Sequence, residues 1–329
     1  MSGTTPLDDY TRTCDDAAAV VISAYSTSFS AAVRLLGARH RGHIRNVYAL
    51  VRVADELVDG VGQEAGLDAA AQADELRELE RRTYRAMELG YSSDAIVHAF
   101  AVTARECGIE RAIVEPFFAS MRTDIAAGVE AAAAAREGED ARSPGATEPP
   151  HDVDGRATDH HDHDGARSFT REEHASYVYG SAQVVGLMCL RVFTREEHLG
   201  EEERHRLEEG ARSLGAAFQN INFLRDLADD ADRLRRDYLG AHERLTDADR
   251  AAWLVEIAGQ LAAARRALPL LPRDARRAVR SALDLFAELT DRLARVPAAE
   301  LYERRVRVPD AVKLAVLARA SARTMRERA

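Results

Sequence analysis

Two clusters of carboxylates are set at helical spacing in this sequence. The segment YALVRVADELVDG holds Tyr48, Arg52, Asp55, Glu56 and Asp59. Residues three or four apart are neighbours on one helix face, so Asp55 and Asp59 stand a turn apart, with Arg52 a turn earlier. Two like charges at that spacing are mildly destabilising unless something is bound between them. Mg²⁺ takes one or two carboxylates and completes its shell with water and phosphate oxygens, and Arg grips phosphate with two parallel hydrogen bonds. A solvated helix face in which Arg52 pairs with Asp55 accounts for the same residues, so this cluster alone leaves both readings open.

The second cluster is more specific. In FQNINFLRDLADDADRLRRDYLG, Gln219, Asn222, Asp226 and Asp230 recur at spacings of three, four and four. That spacing predicts an amide-and-carboxylate stripe along one helix face, with Phe223, Leu224 and Leu227 pointing elsewhere. A buried stripe of this kind is costly unless paired or bound to a cation. Exchangeable surface salt bridges explain Asp229, Asp232 and Asp237, but fit Gln219 and Asn222 poorly.

The elements that must carry these residues are helices. Apolar residues recur at helical spacing almost throughout. The expected helices cover roughly 15–36, 41–61, 68–90, 93–107, 110–130, 171–193, 201–236, 247–268, 274–295 and 310–327. Thr170 with Glu173, and Thr194 with Glu197, have capping-box spacing, and Pro309 suits the first turn of the last helix. No stretch alternates as a strand should. From about 136 to 167 the chain is rich in Gly, Pro, Asp and His and nearly free of large apolar residues. Such a segment buries too little to offset its ordering entropy, so a disordered linker or loop insertion is expected. Its histidines (His151, His160, His161, His163) have no fixed geometry for a metal. With the chemistry on both sides of the insertion, residues 1–329 are expected to form one all-α domain.

Composition narrows the function. The 329 residues are 46% hydrophobic with a net charge of −10, which argues against nonspecific nucleic-acid binding. Lys313 is the only lysine. Cys14, Cys107 and Cys189 are far apart and show no metal-ligand spacing, as in a reduced cytoplasmic protein. Residues 1–9 lack a basic start and an apolar run. The longest apolar stretch, 184–190, is too short to span a bilayer. The expected location is cytoplasmic, with any membrane contact peripheral, and oligomeric state stays open.

In order along the chain, Ser28–Phe29–Ser30, Tyr48, Arg52 and Asp55 to Asp59, then YVYGSAQVVG at 177–186, NFLRDLADD at 222–230, and RRVRV at 304–308 with Lys313, resemble the squalene/phytoene synthase family of head-to-head prenyl transferases, most like a bacterial phytoene synthase. The resemblance covers most of the chain outside the insertion. It implies an all-α isoprenoid synthase bundle around a central cavity. Carried over residue by residue, Asp55, Asp59, Asn222, Asp226 and Asp230 would serve Mg²⁺, for which Mn²⁺ could substitute. Arg52 and Arg305 would contact diphosphate, and Ser28 and Phe29 would sit by the diphosphates and the chain pocket. Tyr48, Tyr179 and Gln219 would line the site near the reacting carbons, Tyr179 as a steering or deprotonating group or else a packed core tyrosine.

The activity implied is condensation of two allylic prenyl diphosphates through a cyclopropylcarbinyl diphosphate. Phytoene from two geranylgeranyl diphosphates is favoured, without NADPH, which only squalene would require. Small residues at Gly180, Ser181, Ala182 and Gly186 would leave length for a C20 tail, although they equally suit close helix packing. Squalene or dehydrosqualene synthesis from farnesyl diphosphate is the alternative. A non-catalytic assembly factor would be expected to lose the acidic residues that this chain keeps. Head-to-tail elongators and terpene cyclases use DDxxD or NSE-type patterns, which are absent here.

Overall fold

A computed structural model describes residues 5–58, 61–140, 167–229, 236–237, 239 and 244–327. The N-terminal helix α1 runs over Pro6–Tyr25. Thr5 and Asp8 form a reciprocal capping box at its start, with Pro6 at the first helical position. The expected helix over 15–36 is in fact two. Ser26 is extended and its side chain accepts from Phe29 N, which ends α1 and starts α2, Thr27–Arg34. Helix α3, Ala38–Val58, carries the first carboxylate cluster.

A short α4, Val61–Glu64, leads to the pair α5, Ala69–Leu89, and α6, Ala95–Cys107. Each of that pair is capped by an aspartate at its start and by a left-handed glycine at its end, Gly90 and Gly108. Helix α7, Arg111–Asp140, continues past the point where the linker was expected to begin. Residues 136–140 are therefore helical, and the rest of that segment up to 166 lies outside the described residues.

After Arg167–Ser168 (β1) come α8, Arg171–Val178, a single π-helical turn, Tyr179–Gln183, and α9, Val184–Thr194. Helix α10, Glu201–Arg225, carries the second polar stripe and stops at Asp226, short of the expected 236. Three residues of α11, Leu227–Asp229, follow. Arg236–Asp237 (β2) pairs in parallel with β1, a ladder too short for alternation to register in sequence. The remaining helices are α12, Asp247–Ala267, α13, Arg273–Leu293, α14, Ala298–Leu301, and α15, Asp310–Arg326.

Helix α10 packs on α12, on the π turn and on α9, while α3 packs on α1 and α6. Glycine permits the closest of these approaches. A β-carbon on Gly186 would lie 2.5 Å from the Ala211 carbonyl oxygen of α10, and one on Gly180 would overlap the Pro116 carbonyl of α7. Gly180 thus serves helix packing, the second of the two uses open to it from the sequence, whereas Gly186 both packs on α10 and faces the space between the helices. The helices enclose a central cavity of about 950 Å³. Among the described residues no helix is long and apolar enough to cross a membrane.

Candidate active site

The cavity is polar at one end and apolar along its length. One face of α10 lines it from Arg225 through Asn222, Gln219, Phe218 and Leu214 down to Leu207. The periodicity of three and four that placed Gln219 and Asn222 on one face thus also builds an oily wall below them. Helix α3 adds Ile44, Tyr48, Arg52 and Asp55, and α2 adds Phe29 and Val33. The segment between α14 and α15 brings Arg305 and Arg307 to the same end, and Lys313 follows from α15.

Both carboxylate clusters are held by arginine. Arg52 donates from Nη1 to Asp55 Oδ2 at 2.8 Å and also pairs with Glu56. Its guanidinium carbon lies 4.6 Å from the centre of the Tyr25 ring. Asp226 caps the end of α10, where the backbone leaves the helix. Its carboxylate pairs with the adjacent Arg225, and Arg305 Nε lies 2.7 Å from its Oδ1. The expected stripe is therefore broken at Asp226: Gln219 and Asn222 are on the helix, and Asp226 projects from its end.

An aromatic wall adjoins the polar end. Phe29 lies 6.3 Å from Tyr48, 5.9 Å from Phe218 and 5.8 Å from Phe286, centre to centre. Phe218 and Phe286 stack at 3.8 Å. Ring faces carry partial negative charge and stabilise a cation without reacting with it. Phe218 and Phe286 are absent from the sequence-based candidates. Phe218, next to Gln219 in the second motif, was the one with a local signal. Burial raises the Tyr48 hydroxyl above the usual tyrosine range, against the lowering effects of Arg52 and a bond to Ser26, so the group stays protonated near neutrality.

Tyr179 does not join this site. It is 39% exposed and does not line the cavity. Tyr177, about 200° away around the helix, lines it instead. The buried Tyr177 hydroxyl donates to Asp124 Oδ2 at 2.9 Å, and Ser120 Oγ donates to the Tyr177 carbonyl at 3.1 Å. The expectation that Tyr179 faces the reacting carbons is corrected on this ground. Asp59 and Asp230 lie outside the described residues, as does the side chain of Ser28.

Among the described residues no three His, Cys, Asp or Glu side chains gather as a metal site. The donor set nevertheless fits a hard divalent cation. Asp55 and Asn222 line one cavity, and Asn222 Oδ1 is buried with no hydrogen-bond partner among the described residues. A buried acceptor left unpaired is costly, and a cation or its bound water would satisfy it.

A family model described as squalene/phytoene synthase matches residues 22–311. No curated protein sequence matches the chain. A solved dehydrosqualene synthase in complex with a ligand superposes with a TM-score of 0.69 at 21% identity, over 98% of this chain and all of that one. Squalene synthase HpnC from Alicyclobacillus acidocaldarius gives 0.58 at 17% identity, over 98% and 97% of the two chains. YisP from Bacillus subtilis gives 0.58 at 15%, over 96% and 99%. At these identities the likeness shows the fold, the all-α helical bundle around a central cavity.

Proposed function

The chain belongs to the squalene/phytoene synthase family, and on that premise we propose that it condenses two geranylgeranyl diphosphates head to head to phytoene, as one catalytic domain dependent on Mg²⁺. The observation that carries this is the division of a single cavity into an arginine-and-carboxylate end and a long apolar barrel.

Asp55 and Asp226, with Asn222, would hold the cation, joined by Asp59 and Asp230. When bound, Mg²⁺ would neutralise charge on the departing diphosphate. Arg52 and Arg305 grip the diphosphate oxygens and stabilise charge as it develops on them. The rings of Phe29, Phe218 and Phe286 face the allylic cation, and the apolar barrel keeps out the water that would quench it. The second substrate's double bond then attacks the cation, and loss of a proton to the departed diphosphate closes a cyclopropylcarbinyl diphosphate. This ionises by losing its own diphosphate, rearranges and gives up a second proton. Tyr48 and Gln219, with Tyr177 in the place foreseen for Tyr179, would orient the reacting carbons.

The C20 assignment rests on length. The lining of α10 from Arg225 to Leu207 spans 18 residue steps, about 27 Å of helix axis. A second reading is dehydrosqualene or squalene synthesis from two farnesyl diphosphates. It is favoured by the solved structures that share this fold, and by the use of Gly180 for packing instead of tail room. A non-catalytic role fits poorly with carboxylates, and an amide oxygen unpaired among the described residues, kept at the head of an apolar cavity. Release of a water-insoluble hydrocarbon suggests a peripheral encounter with lipid.

Incubation with C15 or C20 diphosphate and Mg²⁺, with and without NADPH, tests the proposal. Phytoene from the C20 substrate alone is expected. A C30 product from farnesyl diphosphate with no use of the C20 substrate would overturn the chain-length assignment, and no turnover of either would overturn the activity.

A further inference from the structure

Arg52 is caged on three sides, and the three partners are not equivalent. Asp55 and Glu56 are consecutive, so they leave the helix about 100° apart, and Arg52 three and four residues earlier reaches both. Asp55 lines the cavity, with 35% of its side chain exposed. Glu56 does not line the cavity, and its side chain is only 17% exposed. Tyr25, across the end of α1, covers the guanidinium face at 4.6 Å. Arg52 Nε is buried and has no partner among the described residues, so the fork is not fully used by the groups around it.

We propose that Glu56 and Tyr25 are positioning residues that hold the Arg52 guanidinium toward diphosphate when Asp55 turns from Arg52 to a cation. This deepens the prenyl transferase reading and rests on it. A carboxylate cannot serve fully as the partner of an arginine and as the ligand of a metal. Were Asp55 the sole anchor, binding of the cation would release the long Arg52 side chain, and its rotamer entropy would oppose diphosphate binding. Glu56, turned out of the cavity, keeps its ion pair through that exchange. The Tyr25 ring fixes the plane of the guanidinium and leaves its edge open to oxygen ligands.

Calorimetric titration of the full chain with inorganic diphosphate at saturating Mg²⁺ tests this. Glu56→Gln is expected to weaken binding about tenfold through loss of a charge-assisted pair. Tyr25→Leu is expected to weaken it about threefold, with Tyr25→Phe restoring it by keeping the ring. In an Arg52→Ala background neither Glu56→Gln nor Tyr25→Leu should weaken it further, because residues acting through a common partner are not additive. Wild-type affinity in Glu56→Gln or Tyr25→Leu, or an undiminished loss in the Arg52→Ala background, overturns the proposal. If Glu56→Gln fails to fold, the Tyr25 variants decide. Should the wild-type chain bind no diphosphate with Mg²⁺, the prenyl transferase reading fails with it. Normal wild-type binding with unaffected variants sinks the positioning role alone.

Discussion

Arg305 meets Asp226 with two prongs, Nε at 2.7 Å from Oδ1 and Nη2 at 3.2 Å from Oδ2, across 79 residues of sequence. The pair joins the segment before α15 to the end of α10, where the helical stripe of amides gives way to a carboxylate. Asp226 also pairs with Arg225, so its folding role does not depend on Arg305 alone. Arg305→Ala is therefore expected to lower kcat/KM about a hundredfold or more with a nearly unchanged melting temperature. Arg305→Lys should recover only part, since lysine lacks the planar fork. Near-normal steady-state rates in Arg305→Ala would remove this residue from the diphosphate site.

The two tyrosines of the π-turn region should part company on substitution. Tyr177→Phe leaves the buried Asp124 without the hydroxyl it accepts from, at a cost of about 1–3 kcal/mol, and disturbs the cavity wall. Both melting temperature and rate should fall. Tyr179→Phe, at an exposed position, should keep both within about twofold or a degree or so. Equal losses in the two variants would mean that Tyr179 reaches the substrate after all.

That pair also marks where sequence stops being informative. Helical spacing alone identified nearly every helix, and the motifs brought Arg52, Asp55, Gln219, Asn222 and Arg305 to one cavity. Periodicity could not say which of Tyr177 and Tyr179 faces inward, because a π turn inserted at Tyr179–Gln183 shifts the register of the face. Nor could it foresee the stop at Asp226, where apolar residues continue in helical rhythm but the backbone leaves the helix. The break at Ser26 had a local signal, since a serine directly before a helical turn can cap it by accepting from the amide three residues on, here Phe29 N. The stacking of Phe218 on Phe286 joins two distant helices and had no local signature beyond helical amphipathicity.

Gly186→Ala probes the closeness of α9 and α10. The new methyl would meet the Ala211 carbonyl oxygen at 2.5 Å, a backbone atom that cannot rotate away. Separation of the helices should cost about 1–3 kcal/mol and several degrees of melting temperature. Gly259→Ala, where nothing lies within 4 Å, is the control and should be neutral or slightly stabilising. Equal stability of the two variants would show that the helices do not approach as described.

Asp274 ties the start of α13 to the start of α3. It accepts from Arg39 Nε at 2.7 Å and Nη2 at 3.0 Å, and its Oδ1 lies 3.2 Å from His40 Nε2. Arg39, ahead of His40, holds the Asp274 carboxyl down to about 2, against the opposing effect of burial. A depressed carboxyl contributes stability above its unfolded value near 3.8, and that contribution is lost as pH falls through 2. With a third of the side chain exposed, solvent screening keeps the contribution to about 1 kcal/mol. Asp274→Asn should lower the melting temperature by a few degrees at pH 7. Its deficit against wild type should shrink between pH 4 and 2, as followed by circular dichroism. A constant deficit across that window would mean that the ion pair contributes no net stability.

Chain length can be read from the depth of the barrel. Ala211 lines the cavity on the same α10 face as Arg225, 14 residues deeper, about 21 Å along the axis. The four extra main-chain carbons of a C20 tail would have to occupy this depth, whereas a C15 tail would end nearer the aromatic wall. Ala211→Phe would fill that space and leave the polar end, the proposed cation ligands and the rings at 29, 218 and 286 untouched. Ala211→Phe is therefore expected to cut turnover of geranylgeranyl diphosphate by tenfold or more, since each excluded methylene is worth about 1 kcal/mol of transition-state binding. Inorganic diphosphate binding with Mg²⁺ should be unchanged. Competition between C15 and C20 diphosphates, with both products quantified, gives the ratio directly. If the variant loses nothing on the C20 substrate while remaining folded, the tail does not pass Ala211 and the length argument for phytoene fails.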